Sequence, residues 1–341
     1  MGLPLKVTLK DIAQKAGVST SAVSLVLNHK PSRISQSKQE EIRKIAEELN
    51  YIPNQIARSL VVKETRTLGV IIPDIKNLFF STYLDSLENY ARQENYTLLI
   101  ASSNNLFSRD MELLKAFTAR SVDGLFLTIS NESYLHSHEI QETLEKLPYP
   151  YIMVDRIFEN FPCNQVSYNH EEGAFKAVDH LIANGHQKIG CVSSNASAGN
   201  GQKRLHGYYR AMERYHLPTA EHWIFEGEYT AENGYAAASQ IAQNTTASFV
   251  SSDMMALGFL KFLEEQNYRI PNDYSLVSYD NVSAPFLYHI HLTAVSQNTQ
   301  ELAEKSMNLL LRLLHNEAPS VPQCLTLTPT LNIGNTVATL G

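Results

Sequence analysis

Cysteine is scarce in this sequence of 341 residues, and the three that are present lie far apart. Cys163, Cys191 and Cys324 form neither an even-numbered disulfide framework nor a paired metal-ligand spacing, so we expect buried, reduced thiols. No apolar run approaches the roughly 18 residues that span a bilayer. The first residues, MGLPLKVTLKD, lack the apolar core of a secretory signal. These absences argue against a secreted disulfide scaffold and a membrane protein, and they predict a cytoplasmic protein.

Motifs of the common enzyme classes are also missing. The sequence contains no Walker loop, no G-x-S-x-G, no H-E-x-x-H and no dinucleotide fingerprint. The pairs His136/His138 and His289/His291 have a spacing seen among metal ligands. They lack cysteine or carboxylate partners at set spacing, so we interpret them as solvated loop residues. The sequence therefore predicts no catalysis, no metal and no cofactor.

The charge is unevenly distributed along the chain. Residues 1–66 hold eleven Lys and Arg against six Asp and Glu, a net charge of +5, and the remainder carries −12. The apolar fraction of 43% and the charged fraction of 18% are ordinary for globular proteins, and the length suits two or three domains. A basic head on an acidic body is typical of a DNA-binding module joined to a domain that does not bind DNA.

Residues 1–52 are predicted to form three helices. Thr8 caps the first helix, with Asp11 three residues later as in a capping box. Gly17 supplies the turn residue, and Ser19 caps the second helix. A third amphipathic helix from Gln36 to Asn50 closes the small core. The pattern is helix-turn-helix, although three short helices could equally form a packing module.

The second helix has one apolar and one polar face. Ala22, Val23, Val26 and Leu27 are spaced to pack inward. The outward positions carry short side chains suited to base edges and phosphates, with one leucine among them; they are Thr20, Ser21, Ser24, Leu25 and Asn28. This face is the predicted recognition surface.

Residues 53–66 decide between these alternatives. Pro53 and Asn54 begin a helix of about two turns, which is marginal alone in water. Its sequence, Pro53-Asn54-x-x-Ala57-Arg58-Ser59-Leu60, resembles the hinge of the lactose/galactose repressor (LacI/GalR) family. The head matches the same family in the runs Thr8-Leu-Lys-Asp-Ile-Ala, Ala16-Gly-Val-Ser, Val23-Ser24 and Val26-Leu27-Asn28. The resemblance implies a hinge helix that folds when a dimer meets double-stranded, approximately palindromic operator DNA.

In this family the hinge leucine, here Leu60, wedges into the minor groove and bends the duplex. Leu25 departs from the Arg or His common at its position and could instead touch a thymine methyl group. The base preference is therefore not carried over. The residues that the motif and the resemblance together assign to DNA are Thr8, Ser19, Thr20, Ser21, Ala22, Ser24, Leu25, Asn28, Asn54, Ala57, Arg58 and Leu60.

From residue 67 short apolar strands alternate with amphipathic stretches, which predicts parallel sheets with helices on both faces. The α/β region resembles the two-lobed periplasmic sugar-binding fold of the same family. The resemblance predicts an N-lobe of about 67–166 and 297–328, a C-lobe of about 167–296 and 329–341, and an effector in the cleft between them. The matching runs are Gly69-Val-Ile-Ile-Pro-Asp, Val122-Asp-Gly-Leu, Gly185-His-x-x-Ile189-Gly, Asp253-x-Met-Ala-Leu-Gly258 and Tyr279-Asp280-Asn281.

Nine residues map to effector-binding positions by this resemblance. Each has an ordinary alternative: Asp280 could cap a helix, Arg204 could lie on the surface, and Asp155 could pair with Arg156. Phe79 and Phe80 could belong to the core. Carboxylates beside aromatic rings suit the hydroxyls and apolar faces of a sugar. The nine are Phe79, Phe80, Asp155, Tyr168, Arg204, Tyr229, Ser252, Asp280 and Gln297.

These observations predict a transcriptional repressor, a homodimer without a tetramer-forming zipper, controlled by a sugar or sugar derivative. A nucleobase or other metabolite is the alternative effector. A solute-binding transport protein would share the cleft, but the basic head and the missing signal segment argue against it. An enzyme would need motifs that the sequence lacks.

Overall fold

The computed structural model describes residues 7–28, 31–51, 64–194, 199–283, 285, 287–317 and 321–340. The chain divides into two compact units, Met1–Thr65 and Arg66–Gly341. Within the described residues no helix is both long enough and apolar enough to cross a bilayer. The hinge positions Asn54, Ala57, Arg58 and Leu60 lie outside the described residues.

The first unit contains the helix-turn-helix that the sequence predicts. Its helices are α1 (Leu9–Ala16), α2 (Thr20–Leu27) and α3 (Gln36–Glu48). Gly17 follows α1 with φ +66° and lets the chain turn sharply, because glycine adopts this left-handed conformation without a Cβ clash. Ile12, Val23 and Ile42, one from each helix, are fully buried together in the core of this unit.

The second unit contains eight helices and twelve strands among its described residues. The helices are α4 (Leu78–Gln93), α5 (Phe107–Ala119), α6 (Ser137–Glu145), α7 (His170–Ala183), α8 (Gly199–Arg214), α9 (Ala231–Ile241), α10 (Asp253–Glu265) and α11 (Thr299–Leu314). The strands are β1 (Thr67–Ile72), β2 (Thr97–Ser102), β3 (Gly124–Leu127), β4 (Tyr151–Val154), β5 (Gln165–Tyr168), β6 (Ile189–Ser194), β7 (Ile224–Gly227), β8 (Ala247–Val250), β9 (Ser275–Asp280), β10 (Thr293–Ser296), β11 (Cys324–Leu327) and β12 (Thr330–Asn332).

These strands form two six-stranded sheets. The N-lobe sheet has the order β11-β5-β4-β3-β1-β2, and the C-lobe sheet has the order β12-β10-β9-β8-β6-β7. Every pairing is parallel except that of β12 with β10, which is antiparallel. The chain changes sheet between β5 and β6, between β10 and β11, and between β11 and β12.

Each lobe has its own apolar core. In the N-lobe, Leu68 of β1 and Phe126 of β3 pack with Leu302 and Leu310 of α11, a helix distant from them in sequence. In the C-lobe, α9 and α10 pack so closely that a Cβ on Gly258 would collide with the carbonyl oxygen of Ala231. The predicted fold class, a helical head with a two-lobed α/β domain, is confirmed.

Two local predictions were wrong. His138 lies in the first turn of α6 rather than in a loop, although it is solvent-exposed as expected. Cys324 is exposed and not buried, because it lies on the edge strand β11 of its sheet.

Candidate effector cleft and DNA-binding surface

In the head, the first turns of α1 and α2 are held by side-chain caps. The carboxylate of Asp11 accepts hydrogen bonds from the backbone N–H of Thr8 at 2.8 Å and from its hydroxyl at 2.7 Å. The hydroxyl of Ser19 accepts from the backbone N–H of Ala22 at 3.1 Å. These bonds fix where α1 and α2 begin.

The predicted recognition surface on α2 differs in exposure from residue to residue. Thr20, Ser21 and Leu25 are exposed, while Ala22 and Ser24 are half-buried. The amide of Asn28 donates to the carbonyl oxygen of Ser24 at 2.8 Å and thereby closes the end of the helix. The outward residues that were predicted from the sequence thus form one short strip along α2. All of them are polar except Leu25.

In the effector domain, two aspartates end strands of the two sheets. Asp155 follows β4 of the N-lobe with φ 64°, and Asp280 ends β9 of the C-lobe with φ 99°. Both side chains are buried. Left-handed backbone at a non-glycine residue is strained, and such residues cluster at functional sites.

Arg204 of α8 is the buried cation between these aspartates. Its Nη2 lies 3.7 Å from Oδ1 of Asp280 and 3.3 Å from Nδ1 of His170. Its Nη1 donates to the carbonyl oxygen of Ser251. The guanidinium carbon stacks 3.8 Å from the ring centroid of Tyr279. These contacts hold a charged donor group in place without solvent.

Asp155 is bound by the C-lobe and not by its neighbour in sequence. Nδ2 of Asn200 donates to Oδ2 of Asp155 at 3.1 Å, and Nε2 of His170 lies 3.4 Å from Oδ1. Arg156 instead donates to Oδ1 of Asn105 and to the carbonyl oxygen of Ile129. The alternative in which Asp155 pairs with Arg156 is therefore wrong.

The burial of these groups shifts their pKa values in different directions. Burial raises the pKa of Asp280 to about 7, although the positive charge of Arg204 opposes the shift. Burial acts in the same direction on Asp155, but His170, Arg204 and Arg156 outweigh it and lower the pKa of that carboxyl. Burial also lowers the pKa of His170, which is therefore neutral at pH 7. Asp155 is thus charged at neutral pH, while Asp280 is poised to titrate.

Two adjoining cavities lie between the lobes. The inner pocket has a volume of only about 20 Å³ and is lined by Asn77, Phe79, Phe80, Asp155, Arg156, Asn200, Arg204, Tyr229, Ser252 and Asp280. The outer chamber has a volume of about 650 Å³, within the usual range for ligand pockets. The two share Asn77, Phe80, Arg156 and Tyr229.

Seven of the nine predicted effector residues line the inner pocket. Gln297 stands behind it and donates from Nε2 to Oδ1 of Asp280 at 2.7 Å. Tyr168 is the exception to the prediction: its hydroxyl donates to Glu301 and to the carbonyl oxygen of Asn298, and its ring packs in the N-lobe core. Helix α11 therefore takes the hydroxyl that we had expected to meet the effector.

Sequence reasoning missed four residues of this site. Asn77 caps α4, His170 begins α7, and Asn200 lies in the first turn of α8. All three lie at helix starts for which the sequence predicted no cap. Arg156 was considered only as a partner for Asp155.

Known proteins resemble this chain over nearly its whole length. Residues 8–54 match the family model of bacterial regulatory proteins of the lacI family, and residues 178–337 match that of the periplasmic binding protein-like domain. The HTH-type transcriptional repressor PurR of Vibrio vulnificus is 32% identical over 91% of this chain and 92% of its own length. The chain belongs to the LacI family. It is a DNA-binding transcriptional repressor and not an enzyme.

A second relative and a solved structure are also similar to this chain over most of its length. Catabolite control protein A of Priestia megaterium is 32% identical over 92% of this chain and 94% of its own length. A crystal structure of the lac repressor dimer bound to operator and the anti-inducer ONPF superimposes with a TM-score of 0.85 at 26% identity, over 97% of this chain and 99% of the other. The head and the cleft described above thus occur in one chain whose architecture is that of a regulated repressor.

Proposed function

We propose that this chain acts as a homodimeric repressor whose affinity for a palindromic operator is set by a sugar or sugar derivative bound between its lobes. The observation that carries the proposal is a group of buried polar atoms without hydrogen-bond partners among the described residues. They include Nε of Arg204, Oη of Tyr229 and Oε1 of Gln297. Buried polar atoms in folded proteins normally have partners, so these atoms favour a ligand that supplies them.

The chemistry of the inner pocket suits a polyhydroxylated ring. The carboxylates of Asp155 and Asp280 can accept hydroxyl hydrogens, and the guanidinium of Arg204 can donate to hydroxyl oxygens. The rings of Phe79 and Phe80, packed edge to face with centroids 5.3 Å apart, offer an apolar surface to the face of a sugar. The mixture of fixed charges and rings supports a carbohydrate.

A nucleobase is the second candidate effector. Phe80 of the N-lobe and Tyr229 of the C-lobe both line the two cavities, so a flat heterocycle could lie between aromatic side chains of the two lobes. A thermal-shift screen that includes both sugars and nucleobases distinguishes the two classes of effector.

Regulation follows from two sites on one chain. An effector that favours one arrangement of the lobes changes whether the paired hinge segments, which include Leu60, can engage the minor groove. Linkage requires the effector and the operator to alter each other's affinity by the same factor. Dimerisation is supported by the two-fold symmetry of operators, which need two heads in register.

The first experiment is a thermal-shift screen of the full-length chain with sugars, sugar derivatives and nucleobases. A ligand at 100 times its Kd stabilises the folded state by about 2.7 kcal/mol. Operator affinity is then measured by fluorescence anisotropy with and without each hit. We expect at least one sugar or sugar derivative to change operator affinity; a hit that leaves it unchanged contradicts the proposed regulation.

Two sets of variants separate the sites. Arg204→Ala and Asp280→Ala should abolish the effector response and retain operator binding, whereas Leu60→Ala should weaken operator binding and retain effector binding. Arg109→Ala, which removes an exposed ion pair with Glu112, serves as the control. Equal loss of both functions in all three variants would indicate unfolding, whereas equal loss in variants that remain folded by circular dichroism would refute the separation of the sites.

A further inference from the structure

Arg156 is a buried cation whose charge is not balanced by an ion pair within the described part of the chain. It is 5% exposed. Its two hydrogen bonds, to Oδ1 of Asn105 at 2.7 Å and to the carbonyl oxygen of Ile129 at 3.1 Å, both come from Nη1 and both end on neutral oxygens. Burying a charge is costly unless an opposite charge or several hydrogen bonds compensate for it.

The remaining donors of Arg156 are unused by the described residues. No hydrogen bond joins its Nε or Nη2 to any of them, and neither atom is among the fully enclosed polar atoms that lack a partner. Arg156 lines both the inner pocket and the outer chamber. One side of its guanidinium fork is therefore available to a molecule in the cleft.

Among the described residues, none of the carboxylates that line the two cavities forms an ion pair with Arg156. Asp155 is held by Asn200, and Oδ1 of Asp74 accepts the backbone N–H of Lys76 at 2.9 Å. Oε2 of Glu132 accepts the backbone N–H of Phe107 at 2.9 Å, where α5 begins. Glu228, the other acidic residue of the chamber wall, is exposed to solvent.

The chamber wall also contains the beginnings of two further helices. Asn77 and Thr230, the capping residues of α4 and α9, line it, whereas the start of α5 is already occupied by Glu132. The N-terminal end of a helix carries a partial positive charge. These ends add to the field of Arg156, and together they favour a negatively charged group in the chamber.

We propose that the effector of this chain is an anionic sugar derivative whose phosphate or carboxylate group is bound by Arg156 in the outer chamber. The inference rests on the proposed function and names the chemical class of the effector. The sugar ring extends toward Arg204 and Asp280, while the acidic group accepts hydrogen bonds from Nε and Nη2 of Arg156. A planar guanidinium binds either acidic group through two parallel hydrogen bonds.

Paired ligands test this proposal directly. The affinities of glucose, glucose 6-phosphate and glucuronate, of ribose and ribose 5-phosphate, and of galactose and galacturonate are measured by titration calorimetry with the full-length chain. Inorganic phosphate against chloride at equal ionic strength probes the acidic-group site alone. The phosphate and carboxylate arms identify the acidic group. We expect an anionic sugar to bind more tightly than its neutral counterpart.

Variants of Arg156 assign the effect to one side chain. Arg156→Gln should weaken binding of the anionic sugar by about 10- to 100-fold, since hydrogen bonds to charged groups contribute this much. Arg156→Lys keeps the positive charge but lacks the planar guanidinium, so it should bind the anionic sugar with intermediate affinity. This variant still tests the proposal if Arg156→Gln does not fold. Arg109→Gln, which changes an exposed arginine on α5, should bind like the unmodified chain.

Three outcomes would overturn the proposal: a neutral sugar that binds as tightly as its anionic counterpart, an anionic sugar whose affinity is unchanged in Arg156→Gln, or no binding by any anionic sugar. If a neutral sugar controls operator binding, the proposed function stands and only this inference fails. If no compound binds to a chain that still binds operator, both fail.

Discussion

The side-chain amide of Asn200 donates to Oδ2 of Asp155 at 3.1 Å and thereby joins the C-lobe to the N-lobe. Both side chains are buried. Asp155 ends a strand of one sheet, while Asn200 begins a helix that packs on the other. This hydrogen bond to a charged group crosses the cleft at the inner pocket, next to the 3.4 Å contact between Nε2 of His170 and the other oxygen of the same carboxylate.

This bond should be measurable in a double-mutant cycle. For Asn200→Ala and Asp155→Ala, we expect a coupling energy of about 1.5–3 kcal/mol in urea unfolding, because one partner is charged and both are buried. The exposed pair Arg269–Asp273 is the matched control and should give no more than about 1 kcal/mol. A coupling energy near zero for the buried pair would show that it does not hold the lobes together.

The raised pKa of Asp280 predicts how stability depends on pH. Its folded pKa of about 7 lies above the unfolded value of about 3.9, so the folded state binds the extra proton between these values. The stability that this proton adds to the folded state is complete below pH 4 and is lost as the pH rises through 7. Asp280→Asn removes this loss, so its Tm relative to the unmodified chain should increase from pH 5 to pH 8 without ligand.

The pKa of Asp155 is shifted in the opposite direction to that of Asp280, so a variant of Asp155 serves as an internal control. Its pKa is lowered in the folded chain, so its contribution is present above the unfolded pKa and is lost as the pH falls through the folded pKa. Asp155→Asn should accordingly destabilise the chain more at pH 7 than at pH 3. Parallel pH profiles for the Asp280→Asn and Asp155→Asn variants would contradict both assignments.

Gly17 should be replaceable by asparagine but not by alanine. Its φ of +66° is left-handed, and no atom of the described residues lies within 4 Å of a Cβ built on it, so backbone strain sets the cost. We expect Gly17→Ala to destabilise the head by about 1–2 kcal/mol and to weaken operator binding. Gly17→Asn should cost less because asparagine tolerates this conformation. Equal operator affinities for the two variants would argue against a left-handed residue here.

A substitution at Gly258 tests the close packing of α9 against α10 rather than backbone strain. A Cβ on it would collide with backbone atoms of Ala231, which cannot rotate away as a side chain could. Gly258→Ala should destabilise the effector domain by about 1–3 kcal/mol in urea unfolding, despite the better helix propensity of alanine. Ser239→Ala, a change at an exposed position of α9, is the control. A stabilised Gly258→Ala chain would mean that the helices can separate at little cost.

Much of the fold was predictable because its signals are local or periodic. The cap at Ser19, the turn at Gly17 and the apolar strands of the sheets follow from neighbouring residues. Helix starts were less predictable. In the first turn of α4, Phe79 and Phe80 contact both the core and the cleft, so their positions do not follow the spacing of a helix with one apolar face.

The site itself was predictable only where a family motif covered it. Asp280 lies in such a motif, Tyr279-Asp280-Asn281, and Arg204 was assigned by the family resemblance. The partners of Asp155 are distant in sequence: Asn200 is 45 residues away and approaches only when the lobes meet. No local pattern distinguishes that contact from the pairing with Arg156. The hydroxyl of Tyr168 is taken by Glu301, 133 residues later, for the same reason.

The N-lobe core has a consequence for synthesis on the ribosome. Leu302 and Leu310 of α11 pack against strands that begin at Thr67, and β11 completes the edge of the same sheet. The lobe made first therefore cannot close until almost the entire chain has left the exit tunnel. Its apolar surface stays uncovered throughout translation of the C-lobe, which makes the nascent chain a natural client for chaperones that bind exposed apolar segments.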